Sequence, residues 1–345
     1  MTPVTSPRID PGVVVGFAVL AALVVLSLVT PAQLIAVFAG SAIVAGMMTT
    51  ARRTAAVAAV ATGCAVLAGT WEDTTNVVDF LVRVLLCGLL GVVAVQGAAL
   101  RERRESSLRR MTVIAETAQR AVLRAIPTAV GSVGLSARYV SATAEALVGG
   151  DLYEVAATPF GVRVIVGDVR GKGLEAVQTA AAVLGAFRAA AFTEPDPAAL
   201  ARSIDATIAR FIGEEEFVTA IVGEFRDDTV VLANCGHHPP LLVHDAQAAE
   251  VDTGEPTVPL GLGAVPALTE HAWPTGARML FYTDGLVEAR DEDGEFFPLV
   301  EHAAELGEGS LEDALDRLID QMTAYAGGRM NDDLAIVLAE SDRSG

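Results

Sequence analysis

Gly149-Gly150-Asp151-Leu152-Tyr153-Glu154-Val155 opens the stretch on which the fold of this 345-residue chain turns, and Gly167-Asp168-Val169-Arg170-Gly171-Lys172-Gly173 closes it. Between them, two apolar segments (152–157 and 162–166) flank Thr158-Pro159-Phe160-Gly161, with proline and glycine placed as a tight turn requires. A hairpin centred between Pro159 and Phe160 sets Asp151 opposite Asp168, each beside a glycine at the hairpin's open end. Two adjacent carboxylates repel, and one of them rises in pKa unless a cation sits between them. The spacing therefore points to a metal site.

Charge divides the chain in two. Hydrophobic residues make up 52 % of it, and residues 1–110 carry nine arginines against six acidic residues. The remainder carries 15 basic and 37 acidic residues, a balance of −22. An acidic domain repels nucleic acid and gains nothing from anionic lipid, so no nucleic-acid partner is expected. It can receive an anionic substrate only through a bound cation. Cys64, Cys87 and Cys235 form no Cys-x-x-Cys pair, which argues against zinc and suits a reducing compartment. Lys172 is the only lysine, against 23 arginines.

Residues 13–29, 34–48, 54–68 and 77–100 are apolar runs, each close to the roughly 18–20 residues that cross a bilayer once flanking small residues are counted. They predict a membrane domain over 1–100 with four transmembrane helices. The first run is read as an uncleaved span, because another apolar run follows it at once. Arg8, Arg52-Arg53 and Arg101-Glu102-Arg103-Arg104 lie on one side of these spans and Trp71-Glu72-Asp73 on the other. Positive loops stay inside, which predicts a multi-pass cell-membrane protein with both the N-terminus and the C-terminal domain in the cytoplasm. Asp79 and Arg83 share a helix face near the outer end of the last span and read as an interfacial pair or a sensor contact. The spans otherwise hold no charge, as suits an anchor rather than a transporter.

A helical linker follows over 101–126. Leu108, Met111, Ala115, Ala118, Val122 and Ala125 recur at alternating spacings of 3 and 4, a short heptad seam. It fits either a parallel homodimer or an amphipathic helix packed on the next domain. Proline at Ile126-Pro127 should stop it.

The last part, 127–341, reads as a single domain. Helices are predicted over 173–192, from Asp196-Pro197 to about Ile212, and from a capping box at Ser310 and Asp313 to Tyr325. Segments 217–225 and 229–233 form a second hairpin, and 241–243, 278–283 and 334–339 are further strands. Hairpin-joined strands with few helices favour an α+β fold, antiparallel sheets with helices outside, over a doubly wound one. Asp284 ends one strand, and Asp332-Asp333 precedes another. If those strands are antiparallel neighbours, four carboxylates converge: Asp151, Asp168, Asp284, and Asp332 or Asp333. Oxygen-only sets select Mg²⁺ or Mn²⁺ over zinc, and two such ions can lower the pKa of a water and clamp a phosphoryl group. Each aspartate alone is more simply a turn residue. Their joint occurrence in this order is what is specific.

Six motifs carry a family resemblance. Val148-Gly-Gly-Asp-Leu-Tyr153, Gly167-Asp-Val-Arg-Gly-Lys-Gly-Leu174, Asn234-Cys-Gly-His-His-Pro-Pro-Leu241, Pro259-Leu-Gly-Leu262, Tyr282-Thr-Asp-Gly-Leu286 and Asn331-Asp-Asp-Leu334 stand in order over 122–340. Together they resemble the metal-dependent protein phosphatase 2C (PPM) superfamily, in its bacterial branch typified by the stage II sporulation protein E and RsbU phosphatases. The resemblance implies an α-β-β-α sandwich, an antiparallel β-sandwich flanked by helices, with two Mn²⁺ or Mg²⁺ ions at one edge. It also implies hydrolysis of phosphoserine or phosphothreonine on a partner protein, often a small anti-anti-sigma-type domain. By position, Asp168 resembles the bridging ligand and the Val169 carbonyl a further one. Asp151 resembles the acid that binds one ion directly or through water, and Asp284 and Asp332 match the remaining ligands, Asp332 aligning better than Asp333. Asp168 and Asp151 thereby become the candidate catalytic residues.

The chain departs from the family pattern at Arg170, where serine is common, at Glu154, where aspartate is common, and at Ala335, where threonine is common. Arg170 and Lys172 are candidate phosphate contacts; the alternatives are a solvated turn residue and a helix cap. His237 and His238 are either an acid or phosphate donor or a structural turn before Pro239-Pro240. Two other functions compete: a phosphatase fold that has lost turnover and only binds, and a cyclic-dinucleotide synthase. The second is suggested by Gly149-Gly-Asp, but Leu152-Tyr153 replaces its Glu-Phe, and it leaves Asp284 and Asp332 without a role.

Overall fold

The computed structural model describes residues 10–30, 34–71, 76–141, 149–213, 215–245, 247–328, 330 and 332–342. Arg8, Pro31, Ala32, Glu72, Asp73, Val148, Asn331 and the side chain of Ala115 lie outside them. The chain forms two compact units, Met1–Arg110 and Met111–Gly345.

The first unit is helical: α1 (Pro11–Val29), a 3-10 turn (Ile35–Phe38) that runs into α2 (Ala39–Met48), α3 (Ala51–Ala68) and the start of α4 (Val77–Val122). Among the described residues, three stretches, α1, α3 and the Val77–Leu108 part of α4, are long and apolar enough to cross a membrane. The second predicted span corresponds to a shorter apolar helix, Ile35–Met48. At 1.5 Å per residue it reaches roughly 21 Å, short of a ~30 Å hydrocarbon core. Arg101 donates to the carbonyls of Gly46 at 2.8 Å and Thr49 at 2.7 Å, satisfying acceptors that the end of α2 leaves open. Asp79 and Arg83 pair at 2.7 Å, one turn apart on α4.

The second unit continues with β1 (Ala129–Val130), β2 (Val133–Val140), β3 (Leu152–Thr158), β4 (Gly161–Val169), α5 (Leu174–Ala190), α6 (Pro197–Ile208), β5 (Val218–Phe225) and β6 (Thr229–Cys235). It ends with β7 (Leu241–His244), β8 (Gln247–Glu250), β9 (Leu268–Ala272), β10 (Arg278–Tyr282), α7 (Asp284–Val287), α8 (Leu299–Ala303), α9 (Leu311–Tyr325) and β11 (Leu334–Ser341). The strands make two antiparallel sheets, β1-β2-β11-β10-β7-β8 and β3-β4-β5-β6-β9. Their facing sides share one core, in which Val164, Val166, Ile221 and Leu232 of one sheet meet Leu135, Met279, Phe281 and Val337 of the other. α5 and α6 cover the outer face of the five-stranded sheet through Leu184, Phe187, Leu200 and Ile204. α8 and α9 cover the other sheet through Leu299, Leu315, Leu318 and Met322. The layers are helix, sheet, sheet, helix, as the resemblance implies.

Local chemistry sets several boundaries. Asp196 caps α6 by accepting from the Ala199 N–H at 2.7 Å, and Ser310 caps α9 by accepting from Asp313 N–H at 3.1 Å. α6 stops at Ile208, earlier than predicted, and a turn follows in which Phe211 and Ile212 N–H both bond to the Ile208 carbonyl. α4 also ends early, at Val122 rather than at Ile126-Pro127, because Arg188 Nη2 takes the Val122 carbonyl at 3.1 Å and the chain turns inward there. Leu123 and Ile126 then pack against the sandwich core. Of the proposed seam, Ala118 packs on Val177 and Val122 on the core under α5, whereas Leu108 and Met111 are exposed.

Two glycines let strand ends close on one another. A Cβ on Gly167 would lie 2.5 Å from the Thr219 carbonyl, and one on Gly285 would lie 2.0 Å from the Asp333 carbonyl. Gly285 follows Asp284, so its backbone contact decides how near that acid comes to β11. Gly285→Ala is expected to cost about 2 kcal/mol or more, read as a fall of roughly 4–8 °C in the thermal midpoint of the C-terminal unit.

Candidate metal centre

Register brings the acids together. Leu152 pairs with Gly167 and Thr158 with Gly161, so Asp151 and Asp168 face each other across the first hairpin as the sequence predicts. On the other sheet, β10 and β11 are antiparallel neighbours, with Tyr282 opposite Ile336, which carries Asp284 to the same end of the sandwich. One carboxylate oxygen from each of Asp151, Asp168 and Asp284 lies within 4.8 Å of the others. Acids from both sheets thus share one small volume.

Such a cluster resists ionisation. Asp151 is only 3 % exposed, and burial followed by the charge of Asp168 pushes its carboxyl well above the ordinary range. Burial and then the charge of Asp284 raise Asp168, and burial and then the charge of Asp332 raise Asp284. Burial and the neighbouring negative charges thus both favour the protonated form of these carboxyls. An oxygen-only set that holds a proton for want of positive charge fits a hard divalent cation, which would take that proton's place.

Several residues that hold the site had not been singled out from sequence. Thr283, fully buried, donates to Asp151 Oδ2 at 2.6 Å and accepts from the Ala335 N–H at 2.9 Å, tying an acid of one sheet to the backbone of the other. Gln119, near the end of α4, donates to the Gly149 carbonyl at 3.2 Å and sits 3.5 Å from the Asp151 carbonyl. Its signal in the sequence was nil. Thr283, adjacent to Asp284 in a quoted motif, could have been found there.

The remaining predicted residues fall as follows. Asp332 stands outside the group of three: Lys172 Nζ lies 2.9 Å from both its oxygens. Asp333 is buried and accepts from Gly149 N–H at 2.6 Å, from Ser141 Oγ at 3.3 Å and from the Tyr139 hydroxyl, so it anchors the strand that leads to Asp151. The Val169 carbonyl lies at the end of β4, where a Cβ on Gly150 would come within 2.8 Å of it. Arg170 extends over the Phe217 ring, 5.3 Å from its centroid, and donates to the Glu215 carbonyl at 2.9 Å. Together with Asp168, Asp284, Thr219 and His238, it lines a cleft of 370 Å³. Lys172, engaged with Asp332, is not a helix cap.

The two histidines separate. His237 Nε2 donates to the Tyr282 carbonyl at 3.0 Å, which leaves Nδ1 to accept from the Thr219 hydroxyl at 3.0 Å. Burial, and then the charge of His238, push it down to about 3. A neutral, doubly bonded imidazole of this kind is structural: it joins β5 to the backbone just before Asp284. His238 is exposed and stacks on Tyr282 at the cleft.

The chain belongs to the stage II sporulation protein E (SpoIIE) family, whose model matches residues 158–342. That match begins after Asp151. Among solved structures, the chain is similar to the RsbU and RsbW domains of Rv1364c from Mycobacterium tuberculosis, at 26 % identity and a TM-score of 0.53, over 61 % of this chain and 60 % of that one. It is similar in fold to the PP2C phosphatase domain with a regulatory fragment of SpoIIE from Bacillus subtilis, at 16 % identity and a TM-score of 0.51, over 61 % and 63 % of the two chains. The SiaA-PP2C domain of Pseudomonas aeruginosa aligns at 20 % identity and a TM-score of 0.57, over 71 % of this chain and 99 % of that one. The chain thus spans less than two thirds of the length of the first two.

The raised carboxyls fix a sign. A group whose pKa is higher folded than unfolded stabilises the fold at low pH, and that contribution is lost as pH rises from the unfolded value of about 4 through the folded one. Ion-free protein should therefore lose stability across this window relative to Asp151→Asn. A divalent ion competes with protons for these carboxylates, so the rise in thermal midpoint with saturating Mn²⁺ should grow from about pH 5 to about pH 8. Midpoints measured with and without Mn²⁺ at each pH check both trends.

Proposed function

We propose that this chain is a membrane-anchored, metal-dependent serine/threonine protein phosphatase that acts on a regulatory partner protein. The observation that carries this is the convergence of Asp151, Asp168 and Asp284 within 4.8 Å beside an open cleft. Asp151, Asp168, the Val169 carbonyl, Asp284 and Asp332 would hold two Mn²⁺ or Mg²⁺ ions. When bound, these supply an activated water and neutralise charge on the phosphoryl group.

The chain's own residues do the rest. Asp151 and Asp168 must be ionised to hold the ions, and Thr283 keeps Asp151 in place. Arg170, steadied on Phe217, presents N–H groups at the cleft that suit phosphate oxygens. No side chain is required as a covalent nucleophile.

Membership of the SpoIIE family supports phosphoserine and phosphothreonine as substrates and an anti-anti-sigma-type domain as the partner. The three long apolar helices of the first unit support a multi-pass anchor; the four apolar runs of the sequence put four spans over 1–100, followed by a linker over 101–126 and the phosphatase domain over 127–341. Arginine placement supports a cytoplasmic N-terminus and phosphatase domain. The exposed Leu108 and Met111 support a homodimer through the linker helix.

The test is release of inorganic phosphate from phosphoserine and phosphothreonine proteins by the full-length chain. Mutating the outer partners of metal ligands typically costs 10–100-fold, so removing a ligand with Asp168→Asn should cost more than about 100-fold. Release that needs no divalent ion, or that survives Asp168→Asn, would contradict the assignment.

A further inference from the structure

The only lysine of the chain lies in the turn between β4 and α5, between Gly171 at φ 115° and Gly173 at φ 89°. These left-handed glycines fold the turn back over the acidic end of the sandwich. Lys172 Nζ stands 2.9 Å from both oxygens of Asp332, and the two side chains are 41 % and 40 % exposed. Asp332 therefore has its negative charge met by a side chain. Asp151, Asp168 and Asp284, which form no salt bridge with a lysine or arginine among the described residues, are the ones that gather.

We propose that Lys172 is a built-in counter-cation that occupies the Asp332 side of the metal centre and must leave it before a second divalent ion binds there. The inference rests on the dimetal reading of the site and adds an order to its filling. Three carboxylates take one ion without disturbing Lys172. A second ion needs the Asp332 oxygens that the ammonium now holds, and an ammonium kept a few Å from a dication repels it. Lysine suits such an exchange. Its head is compact and readily rehydrated on a flexible stem, whereas an arginine would keep a rigid fork on the carboxylate. A half-exposed ion pair adds little to stability, so the pair has no strong structural reason to persist once an ion competes for it. Once displaced, Lys172 lies two residues from Arg170, where a phosphoryl group would enter.

The test is calorimetric titration of the full-length chain in detergent with Mn²⁺, alongside Lys172→Met, Lys172→Arg and Asp332→Asn. The wild type is expected to bind in two steps, the second weaker. Lys172→Met should tighten the second step roughly three- to tenfold and leave the first within about twofold. Lys172→Arg keeps the charge and should not tighten it, and Asp332→Asn should remove it. A second step unchanged or weakened by Lys172→Met overturns the counter-cation role while leaving the metal centre intact. No Mn²⁺ uptake by the wild type overturns the metal centre itself.

Discussion

Mutual repulsion among buried carboxylates is the constraint around which the C-terminal unit is built. Asp151, Asp168 and Asp284 come from the ends of strands in two different sheets, yet their oxygens lie within 4.8 Å of one another. Left to themselves they would separate or stay protonated. The fold opposes separation with fixed partners: Thr283 on Asp151, Asp333 on the Gly149 N–H, and Gln119 on the Gly149 carbonyl. Among the described residues it supplies no lysine or arginine paired with these three acids, and that shortfall is the chemical opening for divalent ions.

The sandwich suits this task because both of its sheets end at the same place. The five-stranded sheet brings Asp151 and Asp168 through a tight hairpin; the six-stranded sheet brings Asp284 and Asp332 through neighbouring antiparallel strands. His237 bonds Thr219 of the five-stranded sheet to the Tyr282 carbonyl of the six-stranded one, and Thr283 does the same between Asp151 and Ala335. These cross-links let the acids keep their spacing beside the cleft. The acidic balance of the domain gives an anion no attraction of its own. Under the proposed function, the approach of an anion would depend on bound ions, Arg170 and Lys172.

Much of this was legible in the sequence because it is local. The turn at Thr158-Pro159-Phe160-Gly161 determines a register, and the register alone puts Asp151 across from Asp168. Caps at Asp196 and Ser310 were readable for the same reason. β2 was missed: Val133-Gly-Leu-Ser-Ala-Arg-Tyr-Val140 has a weak alternation, its hairpin partner β1 is only two residues long, and its main partner is β11, about two hundred positions away. β9, a polar edge strand, is defined only by its pairing with β6. Gln119 escaped notice, and Asp333 was read only as an alternative ligand, because their roles lie in contacts with a distant Gly149. Sequence placed Asp332 among the ligands by position, and only the structure reveals that Lys172 holds it. The second apolar run of the first unit was counted with its flanks, but its helix, Ile35–Met48, is the short one.

The most direct test of the central claim is anomalous diffraction from crystals of the full-length chain grown with Mn²⁺. Asp151, Asp168 and Asp284 should surround a manganese peak, with a second peak beside Asp332 once Lys172 has moved aside. Density in which these aspartates turn away from one another, with no manganese between them at saturating ion, would contradict the account.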